Sequence, residues 1–406
     1  MPVICFCNGN TAWGGGEAWH LNAARSLAER GLRVLLLCRP ESALHKRARH
    51  EKNIEVYGLA PGRLSFLNPL YLLRLTRFLR ERKVGALIMN LPSDLKAAGP
   101  AAGRAGVKYV IYRRGSDLPV RDSLFNRMLY GRVITRLIVN SEATLRSVLA
   151  RNPKLIDPGR VAVLPNGIDR AAFDAALNKA LAERTARGGT SFGMGDQGGE
   201  GARPFVLGNA GRLHRQKGQH FLLHLARRLK NASFPFRLII AGEGSRETEL
   251  KRLAVDLDVE KEVFFAGFME NLAPFWAETD LFILSSLWEG FGSVILEAGL
   301  AQKPVFAFRV SNLPELIIDG ENGKLFPLPP ENAASADAGA VPDAVARAVI
   351  EAAGNPEELR RMGRRGRELA LNYSQDACMD ALLRLLPDLY APPARCRRAE
   401  SGVYSA

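Results

Sequence analysis

The chain has 406 residues, 47% of them hydrophobic, enough for two packed cores, and no apolar stretch reaches the ~18 residues that a membrane-crossing helix needs. Its net charge of +14 sits in one half: residues 1–170 carry 28 Lys plus Arg against 12 Asp plus Glu, and the remainder 28 against 30. That split implies an anionic partner for the N-terminal half; because the basic residues are scattered over helices, with no stacking platform and no zinc or RNA-binding motif, it argues against nucleic acid.

In chain order, short apolar runs alternate with helical patterns, which predicts parallel sheets covered by helices on both faces, twice over. The first set of strands falls at 3–7, 34–38, 54–57, 86–89, 109–112, 137–140 and 161–164. A helix from Glu17 to Arg30 ends at Gly31, where a positive φ can cap it. Residues 69–83, with Arg74, Arg77 and Arg80 beside a run of leucines, form a basic amphipathic helix that could lie in an anionic bilayer interface, or more simply a core-packed crossover helix with a charged outer stripe. The second set of strands falls at 205–207, 237–240, 263–265, 281–284, 305–308 and 323–326, followed by helices at 343–353, 357–371 and 374–389.

The expected division is a basic N-terminal domain over 1–178, a glycine-rich flexible insert over 179–203, a second domain over 204–373, a final helix over 374–391 and a disordered tail over 392–406. A second flexible insert is expected over 332–342. Residues 2–7 read as a first strand and not as a secretory signal, so the expected location is the cytoplasm or the cytoplasmic face of the inner membrane. Cys5, Cys7 and Cys38 lie in strand-like runs, Cys378 in a helix and Cys396 in the tail. None has metal-ligand spacing, and reduced, mostly buried thiols are expected.

Two segments carry chemistry. The run from Leu281 to Glu297 reads as strand, glycine turn and helix, with Glu289 and Glu297 eight positions apart. The amides of Gly292, Ser293 and Val294 at the start of that helix make an anion or polyol site, and two carboxylates beside them suit sugar hydroxyls. The plainer alternative is a first-turn glutamate and a solvated loop glutamate. Upstream, Phe205 to Gly218 is again a strand and a glycine turn, flanked by Arg212 and Lys217. An Arg fork and a Lys point charge can neutralise a departing diphosphate, although a solvated basic loop would look the same.

Taken in order, seven motifs resemble the family-four retaining glycosyltransferases of the GT-B type. They are Gly14-Gly15-Gly16-Glu17, Asn140-Ser141-Glu142, Leu164-Pro165-Asn166-Gly167-Ile168-Asp169, the run Gly211-Arg212-Leu213 through Lys217-Gly218, Ile239 through Glu243-Gly244, Phe264 through Gly267-Phe268, and the Glu289 to Glu297 run. The resemblance covers nearly the whole chain. It implies two Rossmann-like doubly wound α/β domains facing a cleft, with the terminal helix crossing back to the first, and a hexosyltransferase that uses a nucleotide-diphosphate sugar without metal or cofactor.

By the same resemblance Arg212 and Lys217 would grip the diphosphate and Glu297 the ribose. Glu289, with the amides of Gly290, Phe291 and Gly292, would hold the donor sugar. Gly15 and Gly16 would let backbone approach the donor phosphate or the acceptor. Glu243 and Gly244 would line the nucleotide site, and Phe268 would lie where the base stacks. The acceptor would be a glycan or phosphorylated glycolipid, lipopolysaccharide core above all.

One departure stands out. Many members carry a histidine after the strand at 109–112, where this chain reads Arg113-Arg114-Gly115-Ser116-Asp117. Either Arg114 holds the sugar or its phosphate by charge, or Asp117 takes a polar or base role, or the site is weakened; Asp117 could equally cap a helix or turn before Leu118-Pro119. His20, His214 and His220 read as structural or rim residues. The alternatives on the same fold are a weakened nucleotide-sugar-binding partner subunit and a sugar-nucleotide epimerase.

Overall fold

The computed structural model describes residues 3–187, 203–328 and 340–389. Most of the glycine-rich insert, most of the second insert and the C-terminal tail lie outside these residues. The chain divides into two compact units, Met1–Gly167 with Gln375–Ala406, and Ile168–Ser374.

The first unit is built on seven parallel strands, β1 (Val3–Asn8), β2 (Arg33–Cys38), β3 (Ile54–Tyr57), β4 (Val84–Met89), β5 (Tyr109–Arg114), β6 (Arg136–Val139) and β7 (Val161–Val163), in the order β3-β2-β1-β4-β5-β6-β7. Its helices are α1 (Gly15–Glu29), α2 (Ala43–Ala48), α3 (Pro69–Glu81), α4 (Pro92–Ala105), α5 (Leu124–Met128) and α6 (Glu142–Leu149). Both faces of the sheet are covered, so its strands are apolar at nearly every position. Val3, Cys5 and Cys7 pack with Leu35, Leu87 and Leu95 on one side, while Ile4 and Phe6 pack with Trp19, Leu36 and Ile88 on the other. Gly31, at φ +80°, ends α1 with its N–H on Ala28 O, as expected.

The second unit begins with α7 (Arg170–Arg187) and carries six parallel strands, β8 (Phe205–Ala210), β9 (Phe236–Ala241), β10 (Val263–Gly267), β11 (Leu281–Leu284), β12 (Val305–Phe308) and β13 (Gly323–Phe326), in the order β10-β9-β8-β11-β12-β13. Between them run α8 (Gln219–Asn231), α9 (Glu247–Asp256), α10 (Ala273–Glu278), α11 (Ser293–Leu300) and α12 (Leu313–Leu316), followed by α13 (Ala340–Ala353) and α14 (Pro356–Ala370).

The unit boundary falls at Gly167, before the one expected near Asn178, and residues 179–187, expected in the insert, are helical. The cause is long-range pairing: Arg367 on α14 holds Asp174 on α7 through two bonds of 2.7 and 2.9 Å, and Leu177 enters the second unit's core. The last helix, α15 (Gln375–Arg384), belongs to the first unit. Cys378, Met379 and Leu382 fill the core beside Trp19, and Arg30 binds Asp376 at 2.8 Å and Asp380 at 2.5 Å. Cys5, Cys7, Cys38 and Cys378 are free and buried, as the sequence implied.

Candidate active site

In each sheet the strand order reverses beside the first strand, between β1 and β4 in one unit and between β8 and β11 in the other. Loops leaving the carboxyl ends of two such strands diverge to opposite faces, and the crevice between them is where ligands bind in open parallel sheets. The candidate residues cluster at these two places.

In the second unit the loop after β8 is fastened to the loop after β11. Ser285 Oγ donates to Lys217 O at 2.9 Å, Leu287 N to Gln216 O at 2.8 Å, and Gln216 Nε2 to Trp288 O at 3.0 Å. Gly218, at φ +60°, passes so close to Ser285 O that a Cβ would collide with it. This zipper brings Lys217 Nζ to 2.5 Å from Glu289 Oε1, which also accepts from Ser286 Oγ at 2.6 Å. Glu289 N donates to Ser311 Oγ at 3.1 Å, which fixes the backbone of this residue, while the carboxylate is held through Oε1 alone and its Oε2 has no partner among the described residues. Arg212 is exposed on the same loop, and its guanidinium likewise has no partner among the described residues.

Helix α11 starts after Gly292, which sits at φ +75°. Its first turn leaves the amides of Gly292 and Val294 without intrahelical acceptors, while Phe291 is buried with its carbonyl held by Asn312 Nδ2 at 2.8 Å. Glu297 lies a turn inside the helix, where it accepts from Trp276 Nε1 at 3.2 Å; burial pushes its carboxyl pKa up and the indole N–H opposes that. At the neighbouring strand ends, Glu243 Oε1 accepts from Phe268 N at 3.3 Å, which places these two side by side with Phe268 47% exposed. Gly244 lies against Leu213 so closely that a Cβ would meet its carbonyl.

In the first unit, Gly15 and Gly16 occupy the first turn of α1 and not a free loop. Asn90, after β4, packs on Gly16, so that a Cβ there would meet its amide nitrogen and force that side chain to shift. Asp94 braces this switch point from below, accepting Gly9 N at 3.1 Å and Leu91 N at 3.0 Å; desolvation pushes its pKa up to about 8.

A family model for Glycosyltransferase Family 4 matches residues 13–172, and one for Glycosyl transferases group 1 matches residues 196–369. The chain is a family-four glycosyltransferase. It is 27% identical over 386 residues to the lipopolysaccharide core biosynthesis glycosyltransferase LpsE of Rhizobium meliloti, covering 92% of this chain and 96% of LpsE. It is also 27% identical over 333 residues to a GDP-mannose-dependent phosphatidylinositol monomannoside mannosyltransferase of Mycolicibacterium smegmatis, covering 78% of this chain and 79% of that one. Its fold is similar to the crystal structure of Anabaena HepE in complex with UDP and glucose, with a TM-score of 0.76 at 20% identity over 96% of this chain and all of HepE. The two Rossmann-like parallel-sheet units are thus those of a GT-B glycosyltransferase.

Within the glycosyltransferase, the strand expected to end at Tyr112 continues through Arg114, and the two arginines point to opposite faces. Arg114 turns inward: it is buried, bonded to Leu118 O and set against the hydroxyls of Tyr112 and Tyr130, so the charge expected from it is engaged inside the protein. Arg113, which drew no attention in the sequence, lies over the Trp19 ring at 4.1 Å and donates to Asn166 Oδ1 at 2.5 Å and Asn90 Oδ1 at 3.4 Å. It underlies the switch point, and burial pushes its pKa down to about 10. Asp117 does not cap a helix, since Ser123 caps α5; its half-buried carboxylate has no partner among the described residues. His214 accepts from Gln216 N at 3.3 Å in the turn before Lys217, and His20 is fully buried, both structural as expected.

The residues that sequence reasoning missed are Ser286, Ser311 and Gln216, which hold the Lys217–Glu289 pair, and Arg113 with Asn90. The serines flank recognised motifs: Ser286 meets Glu289 within one loop, Ser311 reaches it from the end of β12 beside β11, and Gln216 reaches Trp288 because β8 lies beside β11.

Proposed function

We propose that this glycosyltransferase transfers a hexose from a nucleotide-diphosphate sugar to a membrane-borne glycan or glycolipid, with retention of anomeric configuration and without metal. The observation that carries the reading is the Lys217–Glu289 pair, set at the strand-order switch beside the α11 N-terminus and Arg212, which has no partner among the described residues. As the bond to the sugar breaks, charge grows on the diphosphate. Lys217, Arg212 and the helix-terminal amides can meet it without reorganisation, which is the role a metal would otherwise fill. Glu289 Oε2 is available to accept sugar hydroxyls, Glu297 the ribose hydroxyls, and Phe268 offers a face to the base. The acceptor hydroxyl attacks from the front face, and its proton passes to the departing phosphate oxygen.

The relatives support the substrate classes: LpsE is a lipopolysaccharide core biosynthesis enzyme, the mannosyltransferase is GDP-mannose-dependent and acts on phosphatidylinositol monomannoside, and HepE was solved with UDP and glucose. The charge of residues 1–170 supports an anionic acceptor surface. No helix among the described residues is long and apolar enough to cross a membrane, so membrane contact would be peripheral. The test is release of nucleoside diphosphate from a panel of UDP- and GDP-sugars with truncated lipopolysaccharide as acceptor, and the anomeric configuration of the product by NMR. Absence of turnover with every donor would overturn the reading, and an inverted product would overturn its stereochemical part.

A further inference from the structure

Helix α3 does what a crossover helix must, burying Leu75 and Leu79 against the sheet, yet its opposite face is not the purely charged stripe that role requires. Leu70 and Leu73 are 76% and 66% exposed, and Leu64 and Leu67 in the turn just before α3 are each 66% exposed. A second exposed apolar group comes from α5, with Leu124 83% exposed and Phe125 and Met128 beside it. The two groups form one patch, because the Phe66 ring lies 6.3 Å from that of Phe125. Single exposed leucines need no explanation, but a contiguous cluster of this kind marks a contact surface.

Charge indicates the occupant. Arg63, Arg74, Arg121 and Arg132 are exposed around the patch, and none has a carboxylate partner among the described residues, whereas Arg77 and Arg127 are neutralised by Glu81 and Asp122. A protein partner with an apolar face would not need a ring of unneutralised arginines. A bilayer with anionic headgroups supplies both an apolar interior for the leucines and phosphates for the arginines, each contributing to interfacial binding.

We infer that the patch formed by the α3 N-terminal half, the turn before it and α5 is the face by which this chain docks on an anionic membrane, inserting Leu70, Leu73 and Leu124 below the headgroups. The inference rests on the reading of the acceptor as membrane-borne and names the surface that delivers the enzyme to it.

The test is flotation of the full chain with phosphatidylglycerol–phosphatidylcholine vesicles and with pure phosphatidylcholine vesicles. Binding to the anionic vesicles alone is expected, with L73E and L124E each weakening it about tenfold and R74Q/R121Q about tenfold at low salt. All three variants should keep the wild-type thermal midpoint and wild-type turnover on a detergent-dispersed acceptor, a readout that fails separately if the chain is not the transferase proposed. A wild-type chain that floats with neither vesicle, or variants that bind as tightly as wild type, would overturn the inference. So would sedimentation showing a dimer that L73E converts to monomer without changing flotation, since the occupant would then be a second copy of the chain.

Discussion

Removing either member of the Lys217–Glu289 pair tests the site most directly. The two side chains are 15% and 5% exposed, so each single alanine leaves an almost desolvated charge behind. Breaking a buried pair costs ~3–5 kcal/mol, and the residual exposure of Lys217 lowers the expectation to ~2–4 kcal/mol. For a unit of this size that corresponds to a fall of roughly 5–15 °C in the thermal midpoint. K217A/E289A, which leaves neither charge unpaired, should lose less stability than the two single variants together. E289Q, which keeps an acceptor for Ser286, should lose less than E289A. In the released-nucleotide assay each alanine variant should lower kcat/KM by about 10²–10³, as expected when a preorganised charge on the transition state is removed, and the double variant should fall well short of the product of the two losses. If both single variants stay within about threefold of wild type in kcat/KM, or if the double variant is additive in stability, the pair is a surface ion pair and the proposed centre is wrong.

F268A should raise the donor KM with little change in kcat, because stacking on an aromatic face is worth about 1–3 kcal/mol per base; an unchanged KM would place the base elsewhere. Glu297→Ala should raise the donor KM, and a donor analogue lacking the ribose hydroxyls should bind wild type and variant alike; a preference retained in the variant would remove Glu297 from the ribose. Turnover should survive EDTA unchanged, and loss that Mg²⁺ or Mn²⁺ restores would contradict metal independence. His220, on α8, has its pKa pushed down to about 4 by burial and by the nearby Arg246 and His224. Between the unfolded value near 6.5 and about 4 the unfolded chain binds the extra proton, so stability is full above pH 6.5 and falls as pH drops through that window. Because His220 is partly exposed, the slope should stay below the full ~1.4 kcal/mol per pH unit. H220Q should flatten it in thermal melts run from pH 7 to pH 4, and an equally steep melt profile would assign the slope to other groups.

What could be read in advance and what could not divide along physical lines. Parallel strands covered on both faces are apolar throughout, so every strand was visible as a run, and the Glu289 to Glu297 motif sits within one strand-loop-helix segment whose geometry is local. The Lys217–Glu289 bond spans 72 residues and exists only because β11 skips β9 and β10 to lie beside β8, a choice of strand order that no local pattern records. The unit boundary was misplaced for a related reason. Helix α7 buries only Leu177 and Ala180, too little to reveal a packing face, and the bonds from Arg367 that tie it to the second unit come from the far end of the chain.

The two arginines at the end of β5 make the sharpest case. Neighbouring residues in a strand point to opposite faces, so Arg113 and Arg114 could not both approach the switch point, and choosing between them required knowing that the strand continues beyond Tyr112. A sequence reading that ended the strand at Tyr112 assigned the charge to Arg114 in a loop. With two more strand residues, parity sends Arg114 toward Tyr112 and Tyr130 and sets Arg113 beneath Gly16 and Asn90. At the strand end where the resemblance implied a histidine, this chain carries a buried guanidinium held by Asn90 and Asn166. The half-buried carboxylate of Asp117, in the loop beyond, has no partner among the described residues and is a group there that a ligand could reach.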